Sequence, residues 1–135
     1  MKLERKIRLL HRRLANIRLN YNHQITTEIV KTKHSQIVIE DLNIKGMMKN
    51  KHLSKAIAEQ SLYRFTQLLT YKCELYGIKL VKADRWFPSS KTCSECGCVK
   101  HDLKLSDRVY KCKECGSEID RDVNAAINLS NYRVS

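Results

Sequence analysis

Apolar residues recur every three or four positions through the first part of the chain. Spacing of this kind places the side chains along one face of a helix, so the pattern predicts an amphipathic helix from Met1 to about Lys33. The stripe consists of Leu3, Ile7, Leu10, Leu14, Ile17, Tyr21, Ile25 and Ile29.

The other faces of this helix are basic, and only Glu4 and Glu28 oppose the positive charges. Two interpretations stay open, a solvated outer face or a ridge that contacts phosphate groups. The candidates for phosphate contact are Arg5, Arg8, Arg12 and Arg13.

Strand and helix patterns alternate after the first helix. Ile37, Val38 and Ile39 form a β-branched run that predicts a buried strand. A second helix is expected from about Lys55, with Ser54 as its N-cap, to Tyr76, where Gly77 ends it. A short strand ending near Asp84 and a last helix from about Asp122 to Tyr132 complete the order.

This order predicts an α/β fold, although two strands are too few for a well-buried sheet. Cys73 lies on the apolar face of the second helix, so we expect it in the core rather than at a metal.

Four of the six cysteines form two matched pairs. Cys93-x2-Cys96 and Cys112-x2-Cys115 are separated by fifteen residues, a spacing typical of zinc sites. Four thiolates close a tetrahedral site without an open position for water, so the expected zinc is structural. Gly97 and Gly116 follow the pairs, as tight turns require.

Cys98 leaves an alternative open, because it could replace Cys96 in a C-x4-C pairing. The two matched pairs argue against that alternative. The stretch between the pairs, "HDLKLSDRVYKC", predicts a small hairpin, and together these features predict a zinc ribbon.

The charge balance points to a polyanionic partner. The chain has 135 residues with 26 Lys and Arg against 14 Asp and Glu, a net charge of +12. Nucleic acid is the commonest partner for such a chain, and an anionic membrane surface is the weaker alternative. No long apolar segment and no signal-type core are visible, so we expect a soluble cytoplasmic protein, associated with the nucleoid if it binds DNA.

Acidic residues stand at the ends of predicted elements, where open α/β folds place function. Glu40 and Asp41 follow the first strand, and Asp120 and Asp122 begin the last helix. Converging carboxylates would bind Mg²⁺ or Mn²⁺, and two such ions assist phosphodiester cleavage. The alternative is that Asp120 or Asp122 caps the helix and Asp41 pairs with a lysine.

Four segments in a fixed order resemble the TnpB, or OrfB, family of insertion-sequence proteins. They are "IVIEDLNIKGM", "WFPSSKTCSECG", "YKCKECG" and "DRDVNAAINL". The family is known as transposases related to the type V RNA-guided Cas nucleases, and this chain resembles its C-terminal part.

The resemblance implies a RuvC-type, RNase H-like core interrupted by a zinc ribbon, with DNA and a guide-type RNA as partners. It implies a partial core over residues 1–90, a zinc ribbon over 91–118, and a C-terminal helix over 119–135 that completes the core. The family's second and third metal-binding acids correspond to Glu40 and Asp122, and Asp120 is a neighbour.

The family's first acid belongs to a G-I-D-x-G motif that the 135 residues do not contain. We therefore expect a product of a truncated gene or a domain fragment with little or no nuclease activity alone. The alternatives are a non-catalytic zinc-ribbon protein that binds nucleic acid and a remnant without function. Trp86, Phe87 and Tyr110 could stack on bases, but we expect Trp86 and Phe87 to seat the ribbon against the core.

Overall fold

The predicted alternation of helices and strands is present in the computed structural model, which describes residues 1–44, 46, 49 and 61–134. The predicted helix start at Ser54 and Lys55 lies outside these residues. The elements are α1 (Lys2–Lys31), β1 (Gln36–Glu40), α2 (Leu62–Tyr76), β2 (Lys79–Ala83), β3 (Val109–Lys111), β4 (Glu118–Asp120) and α3 (Arg121–Ser130).

The chain divides into two compact units. The first comprises Met1–Gln36 and Asn43–Leu80, and the second comprises Ile37–Leu42 and Val81–Ser135. The three-part division expected from the sequence stays a prediction. No helix in the described part of the chain is long and apolar enough to cross a membrane.

In the first unit, the C-terminal third of α1 packs against α2. Asn22, Thr26 and Val30 of α1 are buried, and α2 contributes Leu68, Leu69, Lys72 and Cys73 to the same interior. Burial of Cys73 confirms its expected place in the core, and the low polarity around its thiol raises its pKa.

The apolar stripe of α1 is not packed in the way that its spacing suggests. Its first six members, from Leu3 to Tyr21, are all between 45% and 70% exposed. The cause is length, because α1 has 30 residues and α2 has 15. Among the described residues, α2 therefore covers only the last turns of α1.

Lys72 joins the two helices through its ammonium group, which is buried and forms no ion pair with any carboxylate among the described residues. Its Nζ donates to the backbone oxygen of His23 at 2.7 Å, to Thr26 Oγ1 at 2.7 Å and to Thr27 Oγ1 at 2.8 Å. These bonds use all three ammonium protons. Burial nevertheless lowers the pKa of Lys72, because it disfavours the charged form.

The end of α2 follows the sequence prediction. Gly77 adopts a left-handed conformation with φ 66°, which glycine accepts without steric cost. The Ile78 N–H then donates to the oxygen of Cys73 at 2.9 Å, and the Lys79 N–H donates to that of Ser35 at 3.0 Å. These bonds start β2 beside the residue that precedes β1.

The strands form two separate two-stranded sheets, β1 with β2 and β3 with β4, in the described part of the chain. Strands β3 and β4 are antiparallel, and Tyr110 lies opposite Ile119. The hairpin predicted within residues 101–112 is wrong in its pairing. Tyr110 and its neighbours pair across the second cysteine pair instead, because the turn after Cys115 returns the chain beside them.

Candidate metal centres and nucleic-acid interface

Four cysteine sulfurs converge in the second unit, and they are the four that the spacing predicts. The Sγ atoms of Cys93, Cys96, Cys112 and Cys115 all lie within 4.8 Å of one another. Cys93 and Cys115 are 3.6 Å apart, and Cys96 and Cys112 are also 3.6 Å apart.

These distances fit a tetrahedral metal ion. Zinc–sulfur bonds of about 2.3 Å give sulfur–sulfur edges of about 3.8 Å in a regular tetrahedron. Cys98 is exposed and does not belong to the group, so the C-x4-C alternative is wrong. The cluster can hold a metal ion with four thiolate ligands.

Two equivalent backbone turns present the cysteine pairs. The Gly97 N–H donates to the oxygen of Cys93 at 2.9 Å, and the Gly116 N–H donates to that of Cys112 at 3.2 Å. Both glycines have positive φ, 78° and 74°, where a side chain would add strain. The repeated C-x-x-C-G sequence therefore folds into the same turn twice.

The electrostatics of the cluster favour a cation among the sulfurs. Backbone N–H donation from Cys115, aided by that from Glu114, lowers the pKa of Cys112 to about 7 despite burial. The Cys98 backbone also favours the Cys96 thiolate, but burial and the three neighbouring thiols outweigh it and raise that pKa. A divalent cation would remove this conflict by stabilising every thiolate at once.

Tyr110 forms the buried support of the cluster. It is 1% exposed and packs with Cys93 and Cys112, while Leu103 and Ile119 cover them. Its hydroxyl donates to the backbone oxygens of Lys91 at 3.1 Å and Cys98 at 3.3 Å. Burial, together with nearby cysteine charge, raises the pKa of Tyr110 to about 12. Because its ring is buried, Tyr110 cannot stack on a base in this arrangement.

Glu40 ends β1 and lines an open cavity of about 330 Å³ in the second unit. Its Oε1 accepts a hydrogen bond from the hydroxyl of Ser89 at 2.7 Å. Ser89 is only 5% exposed. The carboxylate is therefore held at one oxygen by a buried donor, while the residue itself is exposed.

Asp41 lines the same cavity and carries a partner of its own. Its Oδ2 lies 3.5 Å from Nη2 of Arg85, and both side chains are partly exposed. The alternative of an ion pair is thus correct for Asp41, with arginine in place of the expected lysine.

Asp120 caps α3. Its Oδ1 accepts from the backbone N–H of Asp122 at 2.9 Å and from that of Val123 at 3.1 Å. These bonds satisfy two of the donors left free at a helix start. The capping interpretation is confirmed for Asp120.

Asp122 lies in the first turn of α3, and its side chain is 75% exposed. Its Oδ1 is 3.4 Å from Nε and from Nη2 of Arg121. It does not line the cavity that contains Glu40. Among the described residues, only the cysteines form a group of three or more ligand atoms close enough for one ion. The metal-binding roles of Glu40 and Asp122 stay predictions.

Two asparagines of α3 that the sequence interpretation missed form hydrogen bonds with the segment around Cys93, from Ser89 to Ser94. Asn124 is fully buried. Its Nδ2 donates to the oxygen of Thr92 at 2.7 Å, and its Oδ1 accepts from the Ser94 N–H at 2.9 Å. Asn128 Nδ2 donates to the oxygens of Ser89 and Thr92, each at 2.7 Å. Their four-residue spacing on one helix face was the available signal.

The basic face of α1 is available to a partner. Arg5, Arg8, Arg12 and Arg13 are all exposed on the helix. Trp86 is 85% exposed, so it does not seat the ribbon as expected. Phe87 packs edge-on against Tyr132 of the same unit, with ring centroids 4.9 Å apart.

Two family models match the chain. The model described as "Probable transposase" matches residues 1–51, and the model described as "Cas12f1-like, TNB domain" matches residues 63–129. The chain belongs to the TnpB family. The sequence resemblance is therefore confirmed over residues 1–51 and 63–129.

Named relatives agree with this assignment. A "Putative RNA-guided DNA endonuclease" from Streptomyces pristinaespiralis is 41% identical over 128 residues, 95% of this chain and 31% of that protein. A "Putative RNA-guided DNA endonuclease InsQ" from Escherichia coli is 32% identical over 143 residues, 95% of this chain and 35% of that protein. The chain thus spans about a third of the length of these relatives.

A solved structure shares the fold. The cryo-EM structure of a Cas12f1–sgRNA–target DNA complex has a TM-score of 0.74 and 25% sequence identity, and the match covers 96% of this chain and 37% of that one. The α/β fold expected from the sequence is confirmed at this level.

Proposed function

We propose that this chain forms the C-terminal nuclease portion of an RNA-guided DNA endonuclease of the TnpB type. The observation that carries the proposal is the likeness to Cas12f1 over 96% of the chain, joined to the motif order from Glu40 to Asp122. In this proposal the chain contributes a RuvC-type core and a zinc ribbon, and its partners are DNA and a guide RNA.

Glu40 and Asp122 are the proposed ligands of Mg²⁺ or Mn²⁺. Carboxylate oxygens are the ligands that these ions prefer, and the ions would stabilise charge on the attacking and leaving oxygens. Glu40 stands at the end of β1, held by Ser89. Asp122 stands at the start of α3, where Asp120 fixes the first turn.

The cysteine cluster is the proposed structural zinc site. Cys93, Cys96, Cys112 and Cys115 fill four positions, so the ion takes no part in cleavage. The support is geometric, since the sulfur–sulfur distances of 3.6 Å approach the tetrahedral edge.

A chimaera tests the nuclease proposal. The matching segment of the Streptomyces relative would be replaced by these 135 residues, and cleavage of target DNA would be measured with guide RNA and Mg²⁺. Loss of a metal ligand should cost more than the roughly 10–100-fold typical of groups that only support a ligand, so Glu40→Gln and Asp122→Asn should each abolish most cleavage.

Asp120→Asn is the matched control, because asparagine also caps helices and the variant should retain activity. The 135 residues by themselves supply two of the family's three acids and should not cut single-stranded DNA with Mn²⁺. Cutting by this chain that Glu40→Ala abolishes would contradict that expectation.

Non-catalytic nucleic-acid binding is the second candidate, and the exposed arginines of α1 favour it. Each phosphate contact releases counterions, so log K should fall with log salt by about 0.9 per contact on duplex DNA. Replacing Arg5, Arg8, Arg12 and Arg13 by glutamine should flatten that slope.

Lys111→Gln is the control for this measurement, since Lys111 pairs with Glu118 at 3.2 Å. An unchanged slope in the four-arginine variant would exclude α1 as the phosphate-binding face.

A further inference from the structure

Ser89 is fixed in the second unit at three of its atoms. Its backbone N–H donates to the backbone oxygen of Phe87 at 2.9 Å, and its backbone oxygen accepts from Asn128 Nδ2 at 2.7 Å. Its hydroxyl donates to Glu40 Oε1 at 2.7 Å. A buried hydroxyl with so little freedom defines where the carboxylate lies.

We propose that Ser89 is a positioning residue for Glu40, and that Asn128 holds Ser89 in place for this purpose. The inference rests on the proposed function, in which Glu40 binds a divalent cation. The hydroxyl is bonded to one carboxylate oxygen, Oε1, and Glu40 lines the cavity. A partner that orients a metal ligand in this way typically contributes about 10–100-fold to metal affinity.

The same contacts connect Glu40 with the cysteine cluster. Asn128 donates to Thr92 as well as to Ser89, and Thr92 immediately precedes Cys93. Asn124 forms hydrogen bonds with the backbone of Thr92 and Ser94, the residues on either side of that cysteine. A metal ion that orders Cys93 therefore also orders the neighbouring backbone, which Asn124 and Asn128 of α3 hold by hydrogen bonds. Ser89 is the first residue of this segment.

Cation binding at Glu40 should accordingly depend on metal loading of the cysteines. In the loaded chain, Ser89 and Glu40 are held before the cation arrives. Without that metal, the segment from Ser89 to Ser94 loses one of its two anchors, and ordering it again would reduce the affinity for the cation.

Trp86 provides a direct measurement, because it is the only tryptophan and lines the same cavity as Glu40. Its indole N–H gives one identifiable nuclear magnetic resonance signal. Paramagnetic broadening of that signal by added Mn²⁺ would report binding in the cavity without requiring catalysis. The titration would use the full 135-residue chain loaded with zinc.

The expected result is a set of differences among variants. Ser89→Ala and Asn128→Ala should each bind Mn²⁺ about 10-fold more weakly than the parent chain. Ser89→Thr, which keeps the hydroxyl, should restore binding. Ser106 and Asn131 are exposed and do not line this cavity, so Ser106→Ala and Asn131→Ala are the matched controls and should bind as the parent does.

The outcomes separate the two proposals. If Glu40→Gln weakens Mn²⁺ binding but Ser89→Ala and Asn128→Ala do not, the positioning role is wrong and the metal role of Glu40 survives. If Glu40→Gln binds as the parent chain does, the proposed metal role fails and the inference fails with it. Equal affinity with and without zinc at the cysteines would overturn the connection between the two sites.

Discussion

At the scale of single residues, Lys72 combines burial, charge and three hydrogen bonds. Lys72→Ala should lower the free energy of unfolding by about 1–3 kcal/mol, because it removes the bonds between α2 and α1 and leaves a small cavity. Urea denaturation followed by circular dichroism measures this loss. Lys6→Ala is the control, because Lys6 is exposed on α1, and an equal loss there would contradict the role of Lys72.

The effect of Lys72 should also depend on pH. Its pKa is lower in the folded chain than the ordinary value of 10.5. At pH values between the folded pKa and 10.5, the unfolded chain therefore binds more protons than the folded chain. The contribution of Lys72 to the free energy of unfolding therefore rises with pH in that window. It is complete above about pH 10.5 and is lost as pH falls through the folded pKa. The destabilisation by Lys72→Ala should be larger at pH 10 than at pH 7, and a smaller value at pH 10 would contradict the assignment.

At the scale of elements, the first turn of α3 depends on its cap. Asp120→Ala should lower the free energy of unfolding by about 1 kcal/mol, whereas Asp120→Asn should have little effect because asparagine caps equally well. Thermal or urea unfolding of both variants measures this difference. Equal losses in both would indicate that the charge of Asp120, and not its hydrogen bonds, stabilises the helix.

Several elements could be predicted from sequence because their signals are local. The period of α1, the glycine after α2 and the cap of α3 each involve residues that are neighbours along the chain. The pairing of β3 with β4 could not be predicted in this way, because it depends on where the turn after Cys115 directs the strand. The exposure of Leu3 and Leu10 was likewise invisible, since it reflects how far α2 extends.

At the scale of the whole molecule, the cysteine cluster should control the stability of the second unit. The purified chain should contain one tetrahedral zinc ion, and Cys93→Ser should lose it while Cys98→Ser retains it. Elemental analysis and the visible spectrum of the Co²⁺-substituted chain measure occupancy and geometry. Retention of zinc by Cys93→Ser would contradict the four-cysteine assignment.

Zinc removal should act mainly on the second unit. With a chelator, the fluorescence of Trp86 should change while most helical circular dichroism persists, because α1 and α2 belong to the first unit. Zinc affinity should fall as pH falls, since protons compete for the thiolates.

The sequence by itself determined the family, the four cysteines of the cluster and the positions of Glu40 and Asp122 along the chain. These features can be recognised from residue types at fixed spacing along the chain, so no knowledge of contacts between distant residues is needed. Only the tertiary structure decided that Ser89 holds Glu40 and that Arg85 pairs with Asp41. It also decided that Asn124 and Asn128 form hydrogen bonds with the segment from Ser89 to Ser94. Such bonds join residues between 30 and 49 positions apart, and their existence depends on how the chain returns on itself.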